Sequence, residues 1–244
     1  SREDTEQPEE YSKEDRTLSV GKAFAYALPN SGNSALLGII TNFTILYYVN
    51  IMGMPPILAG GIFSASLFLY SFSCPIWGAL CDKFETRLGR KKTVMIVSAP
   101  LIALTYILLW LNPRPDSSIE FGALYLPLIL WFVFFLLSFR LTGAAFYATY
   151  TSLLPELSTD EQNRVQVSSI TMLVMIIGVA IGLLGPILLL GETTENLSRE
   201  NPVLYYPNSP TGQAIASGVF IFAIFMALYY LVCVGIMLFT IKEP

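Results

Sequence analysis

Arg140 is the residue whose placement most restricts the chemistry open to this chain. An unbroken uncharged run from Phe121 to Phe139 precedes it, and the next charge beyond it is Glu156. A guanidinium offers a fork of N–H donors and no acceptor, so in apolar surroundings it suits a carboxylate, a phosphate or sugar hydroxyls. Holding it near the centre of a membrane span costs at least about 2.5–3.5 kcal/mol on insertion scales, which favours a cavity or a partner around it. The competing arrangement is a long side chain that snorkels to the headgroups. Other polar residues recur at helical spacing: Asn30, Ser34, Thr41, Thr44 and Tyr48, with Asn33 beside them, then Tyr70 and Ser73, Tyr147 and Thr151, Gln166 and Ser169. Such residues either line a solute path or bond across packed helices.

Most other chemistry lacks its residues. The chain has no His, which removes the commonest general base and metal ligand. The uncharged runs hold no carboxylate pair, no Gly-x-Ser-x-Gly turn and no Cys-x-x-Cys, one of which an intramembrane hydrolase would need. Cys74, Cys81 and Cys233 read as small core residues rather than a disulfide framework. An enzyme is not expected, and no metal or cofactor is called for.

The elements that must position these residues follow from composition. Hydrophobic residues make up 54% and charged residues 13%, about half the charge of a soluble domain. The whole net charge of −4 arises in residues 1–16, where seven acids face three bases, so no basic surface is left for nucleic acid. Residues 1–20 read as an acidic disordered tail and 21–244 as a transmembrane domain. The uncharged interval Ala23–Cys81 is too long for one span of roughly 20 residues, and Gly53, Pro55 and Pro56 break it into two. Six spans result, at about 23–50, 56–81, 93–111, 121–154, 165–190 and 212–241. Eleven Lys and Arg fall in the tail, the second and fourth connections and the end, against Arg114 and Arg199 on the other side. That asymmetry puts both termini in the cytoplasm of a multi-pass cell-membrane protein. Insertion is expected to be by the spans themselves rather than by a removed signal peptide.

Two cytoplasmic connections carry ordered motifs. The first runs Gly78-Ala-Leu-Cys-Asp82-Lys-Phe-Glu-Thr-Arg87-Leu-Gly89-Arg90-Lys91-Lys92, an acid at a helix end followed by a glycine and a basic cluster. The second runs Pro155-Glu156-Leu-Ser158-Thr-Asp160-Glu161-Gln-Asn-Arg164. In it Pro155 is expected to end the fourth span, Ser158 and Glu161 have capping-box spacing, and Asp160 and Arg164 stand four apart and can pair. On span five, Gly178-x3-Gly182-x2-Gly185 allows close helix approach.

The order Gly-x3-Asp-x4-Arg-x-Gly-Arg-Lys resembles the signature loop of the major facilitator superfamily, in the form carried by glycoside–pentoside–hexuronide cation symporters of the melibiose-permease type. The second motif resembles the loop between helices four and five of the same symporters. The resemblance implies an all-α fold, the amino-terminal six-helix half of a twelve-helix transporter built from inverted three-helix repeats. It implies a cavity lined by helices one, two, four and five, here Arg140, Asn30, Asn33, Ser34, Tyr70, Tyr147 and Thr151. It further implies that Gly78, Asp82, Arg87, Gly89 and Arg90 gate the cycle, with Pro155, Glu156, Asp160 and Arg164 as the second cytoplasmic motif. The expected function is alternating-access transport of a small polar organic solute, a sugar or glycoside by family. An organic-anion transporter, or a non-transporting relative that serves as a binding or scaffold protein, is the alternative. The expected partners are the lipid bilayer, the solute and a second six-helix half, supplied by a longer chain, a split gene product or another copy.

The departures bear on mechanism. Tyr70 and Cys74 stand where melibiose-permease-like members carry two carboxylates for cation coupling. Ser34, Tyr147 and Met172 replace the further acid of helix one, the sugar-binding acid of helix four and the sugar-binding arginine of helix five. Coupling through this half is therefore not expected to follow the sodium–sugar scheme.

Overall fold

The structure, a computed structural model, describes residues 17–81, 90–113, 124–158, 160–200 and 210–241. Most of the acidic tail, and Asp82, Arg87 and Gly89 of the first motif, lie outside them. The described chain forms α1 (Val20–Leu46), a π turn (Tyr47–Ile51), α2 (Pro56–Cys81), α3 (Arg90–Trp110), α4 (Leu126–Leu157), α5 (Glu161–Glu200) and α6 (Pro210–Thr240). Among the described residues, six helical stretches are long and apolar enough to cross a membrane, and the fold is all-α. Backbone polar groups have no water to bond in hydrocarbon, so these apolar runs must be helical.

The boundary between the first two helices is set by backbone chemistry. Gly53 has φ 75°, a left-handed conformation that penalises a side chain, and Pro56 opens α2 at a position where its missing N–H is not needed. Elsewhere the helices run further than the sequence suggests. Pro155 lies inside the last turn of α4, which continues to Leu157 and closes with the Ser158 N–H on the Leu154 carbonyl at 3.2 Å. A proline near a helix end removes one hydrogen bond without forcing a stop. The start of α5 is capped by Asp160 rather than Ser158: its carboxylate accepts from the N–H groups of Gln162 (3.3 Å) and Asn163 (3.0 Å), while the Ser158 hydroxyl turns to the Asp160 carbonyl. Committed to the cap, Asp160 makes no ion pair with Arg164 among the described residues. At its other end α5 passes Gly191, where the sequence suggests a loop, and reaches Glu200. At 40 residues it is about 60 Å long, twice the hydrocarbon thickness, so its polar last turns extend beyond the membrane.

Apart from α3 and α4, helices that are neighbours in sequence barely touch. α1 packs on α5 and α6, α4 packs on α2 and α3, and α3 meets α6. Exchanging the first three helices for the last three in order maps this pattern onto itself, which is the arrangement of two repeats that have traded their leading helices. The α1–α5 seam depends on absent side chains: a Cβ on Gly178 would stand 2.1 Å from the Ser31 carbonyl oxygen, and one on Gly182 2.6 Å from that of Ala35. Both pairs step by four residues in the same direction, so α1 and α5 cross in parallel register. The α3–α4 side is filled instead by aromatic rings, with Tyr47, Tyr48, Tyr106, Phe132 and Phe139 fully buried.

Candidate functional site

The polar stripe of α1 is covered differently along its length. Tyr48 is buried, its ring 4.1 Å from that of Phe132 and its hydroxyl donating to the Leu109 carbonyl at 2.5 Å. Thr44 is buried too, whereas Thr41 is exposed. The outer part of the stripe therefore packs the α1–α3–α4 core. Asn30 and Asn33 are half-buried and Ser34 is buried, at the level where α1 meets α5 and α6. Next to them the Ser31 and Tyr229 hydroxyls share a hydrogen bond of 2.8 Å.

Arg140 lies close to the middle of α4 and is 4% exposed. Its Nε and Nη2 have no hydrogen-bond partner, and its guanidinium carbon stands 5.5 Å from the centre of the Phe63 ring on α2. The negative face of an aromatic ring stabilises a cation by roughly 0.5–2 kcal/mol, less than full hydration would. The side chain is buried between helices and does not snorkel. Tyr70 lies seven residues along α2 from Phe63, half-buried, with its ring edge 4.0 Å from the Cβ position of Gly143. Tyr147 lies seven residues along α4 from Arg140, 39% exposed. The parallel α2–α4 pair thus brings Arg140, Tyr70 and Tyr147 to one seam. Asn30, Asn33 and Ser34 form a separate group on α1. Thr151 is exposed and its hydroxyl is returned to the Tyr147 carbonyl at 2.9 Å.

Toward the ends that carry the termini, Thr151, Pro155, Glu161, Arg164 and Ser169 line an open cleft of about 520 Å³ between α4 and α5. Gly78 is open, with nothing within 4 Å of its Cβ position, and Arg90 begins α3 with its side chain outside the described residues. The basic cluster nevertheless reaches the second motif through Lys91. Its ammonium stands 2.7 Å from Glu156 and donates to the Ser152 carbonyl at 2.5 Å, at the α4 end where the helix dipole favours a cation. Lys92 donates to the Ile241 carbonyl at the end of α6. The start of α3 is therefore fastened to α4 and α6 together.

A second tie joins α1 to α4. The Tyr26 hydroxyl donates to the Tyr150 carbonyl and the Tyr150 hydroxyl to the Tyr26 carbonyl, each at 2.9 Å, with the rings stacked 4.7 Å apart. Asn163 clamps the chain before α1 in the same reciprocal way, accepting from the Leu18 N–H and donating to its carbonyl. Sequence reasoning had no signal for these pairings or for Phe63, because each partner lies on another helix. Cys233 is buried and Cys74 half-buried, both as free thiols. Among the described residues no group of His, Cys, Asp or Glu could hold a metal.

Comparison with known proteins gives the same direction. The family described as MFS/sugar transport protein matches residues 25–244. The sphingosine-1-phosphate transporter MFSD2B of Xenopus tropicalis is 26% identical over 241 residues, 93% of this chain and 44% of its own length. The sodium-dependent lysophosphatidylcholine symporter 1 of Mus musculus is 27% identical over 70% of this chain and 31% of its own. The isoprimeverose transporter of Lactiplantibacillus pentosus is 22% identical over 65% of this chain and 31% of its own. The chain spans less than half the length of these relatives.

Proposed function

Because the chain belongs to the major facilitator superfamily, within its MFS/sugar transport protein family, we propose that it forms the amino-terminal half of a transporter that moves a small organic solute by alternating access, with Arg140 as the fixed charge that receives an anionic group. The observation that carries this reading is the mid-span guanidinium with Nε and Nη2 unpartnered. A carboxylate or phosphate on the solute would complete its hydrogen bonding, and the low dielectric would strengthen the bond. Tyr70 and Tyr147 flank the approach. Two of the relatives are named for phosphate-bearing lipids, which agrees with an amphiphile that carries a phosphate group. A neutral sugar is the second reading, favoured by the relative named for isoprimeverose and by the symporter-like loop. There Arg140 would donate to hydroxyls.

A thermal-shift panel on the purified chain separates the two. Lysophosphatidate is expected to raise the melting temperature in a concentration-dependent way and a pentose glycoside to leave it unchanged. A shift with the glycoside alone would select the sugar reading. Sodium is expected to add nothing, since Tyr70 and Cys74 offer no carboxylate.

The second half, from the same protein or another copy, completes the cavity, and both termini face the cytoplasm of the cell membrane. An impermeant thiol reagent added outside intact cells is expected to label Ser198→Cys and spare Ser12→Cys. The opposite pattern would invert the orientation and leave the helix order standing.

A further inference from the structure

Among the described residues Arg140 is a buried cation without a counter-ion. The carboxylates whose side chains are described, Glu156, Asp160 and Glu161, sit at the end of α4 and the start of α5. Glu156, the nearest of them in sequence, lies roughly 24 Å further along α4 and is already paired with Lys91. A guanidinium in apolar surroundings ordinarily finds a counter-ion or reaches toward water. This one does neither, being 4% exposed with Nε and Nη2 unpartnered. What the structure sets against it is the ring of Phe63 on α2, itself 8% exposed, with the guanidinium carbon over the ring and 5.5 Å from its centre. The other group within electrostatic reach, the Tyr70 hydroxyl, is hydrogen-bonded to the Cys74 thiol. A π face attracts a cation within about 6 Å, and more strongly where both are out of water. Unlike a carboxylate, the ring attracts the charge without taking up Nε and Nη2 and without cancelling it.

Resting on the reading of Arg140 as the receiver of an anionic group, we infer that Phe63 is the positioning residue of that site. Its ring holds the guanidinium at the α2–α4 seam in place of a counter-ion and leaves the donors for the anion of the solute. A carboxylate at the same position would hold the guanidinium too, but would occupy its donors and neutralise it, leaving a site suited to hydroxyls. An aliphatic side chain would free the long arginine to sample other rotamers. The solute would then bind only the fraction held in place, and the apparent affinity would fall by that fraction.

The test replaces Phe63 in the whole chain with monofluoro-, difluoro- and trifluorophenylalanine, which drain the π face stepwise with little change of shape. Phe63→Leu and Phe63→Tyr bracket the series. Two quantities are read: the melting temperature without ligand, in the parent and in an Arg140→Met background, and the equilibrium binding of lysophosphatidate. The melting temperature should fall with each fluorine in the parent and stay level in Arg140→Met, where no cation faces the ring. Lysophosphatidate affinity should fall in the same order, about ten-fold by the trifluoro ring or Phe63→Leu, and stay within about two-fold in Phe63→Tyr. A melting temperature that ignores the fluorines, or falls equally in both backgrounds, would make the ring a packing element and overturn the proposal. Parent-like lysophosphatidate affinity across the whole series would overturn it as well, while leaving Arg140 as the anion receiver. Absence of lysophosphatidate binding by the parent chain would instead bring down the anionic-solute reading and the proposal together, so the two failures are told apart.

Discussion

Gly178→Ala is expected to cost about 3 kcal/mol or more and to lower the folded yield of the chain sharply. The added methyl would stand 2.1 Å from the Ser31 carbonyl oxygen, and the atoms around it belong to the α1 backbone, which cannot step aside as a side chain can. The neighbouring glycines grade the effect. Gly182→Ala meets the Ala35 carbonyl oxygen at 2.6 Å and should be damaging but less so. Gly185→Ala meets the far end of the Phe222 ring at 2.5 Å, and that ring can swing. Gly60→Ala, with nothing within 4 Å, should be neutral or gain a few tenths of a kcal/mol from helix propensity. Thermal unfolding in detergent measures all four. A Gly178→Ala protein that melts with Gly60→Ala would show that α1 and α5 do not meet at these residues.

Arg140→Met should move stability and binding in opposite directions. The substitution keeps an unbranched, flexible chain, though a shorter one, and removes a buried charge whose Nε and Nη2 lack partners. Replacing buried ionic groups with apolar ones often stabilises by about 1–4 kcal/mol, so the melting temperature of the unliganded chain should rise. Affinity for the anionic solute should fall roughly ten-fold to a hundred-fold, the loss of a charge-assisted hydrogen bond of about 1.5–3 kcal/mol. Arg140→Lys should recover part of the affinity and lose the guanidinium's fork of donors beside Phe63. A fall in both stability and affinity would make Arg140 a packing element. Unchanged affinity would remove it from the solute path and leave Asn30, Ser34 and Tyr147 as candidates.

The six helices were legible because bilayer thickness imposes a run length that composition alone reveals. Gly53 and Pro56 were legible for a similar reason, since few residues tolerate those backbone positions. The glycines of α5 announced a close approach without saying to what, and Arg140 announced burial without Phe63. Such partners come from helices more than seventy residues away in sequence, and no local rule carries that distance. Local rules also failed where two residues competed for the same role. Ser158 and Asp160 can each cap α5, and the carboxylate won because it accepts from two N–H groups at once. The π turn at Tyr47–Ile51 left no trace in the hydrophobic pattern.

The exchange of leading helices between the repeats sets a schedule for synthesis. Ala35 enters the membrane long before Gly182, the residue it must touch, has been made. Roughly 150 residues separate them, and at about 5–20 residues per second the wait is on the order of 10–30 s. Throughout it the small, polar seam of α1 faces lipid or insertion machinery instead of α5. A pause in translation beyond α4 would lengthen that exposure, and early degradation should fall on chains stalled there rather than on chains released after α6.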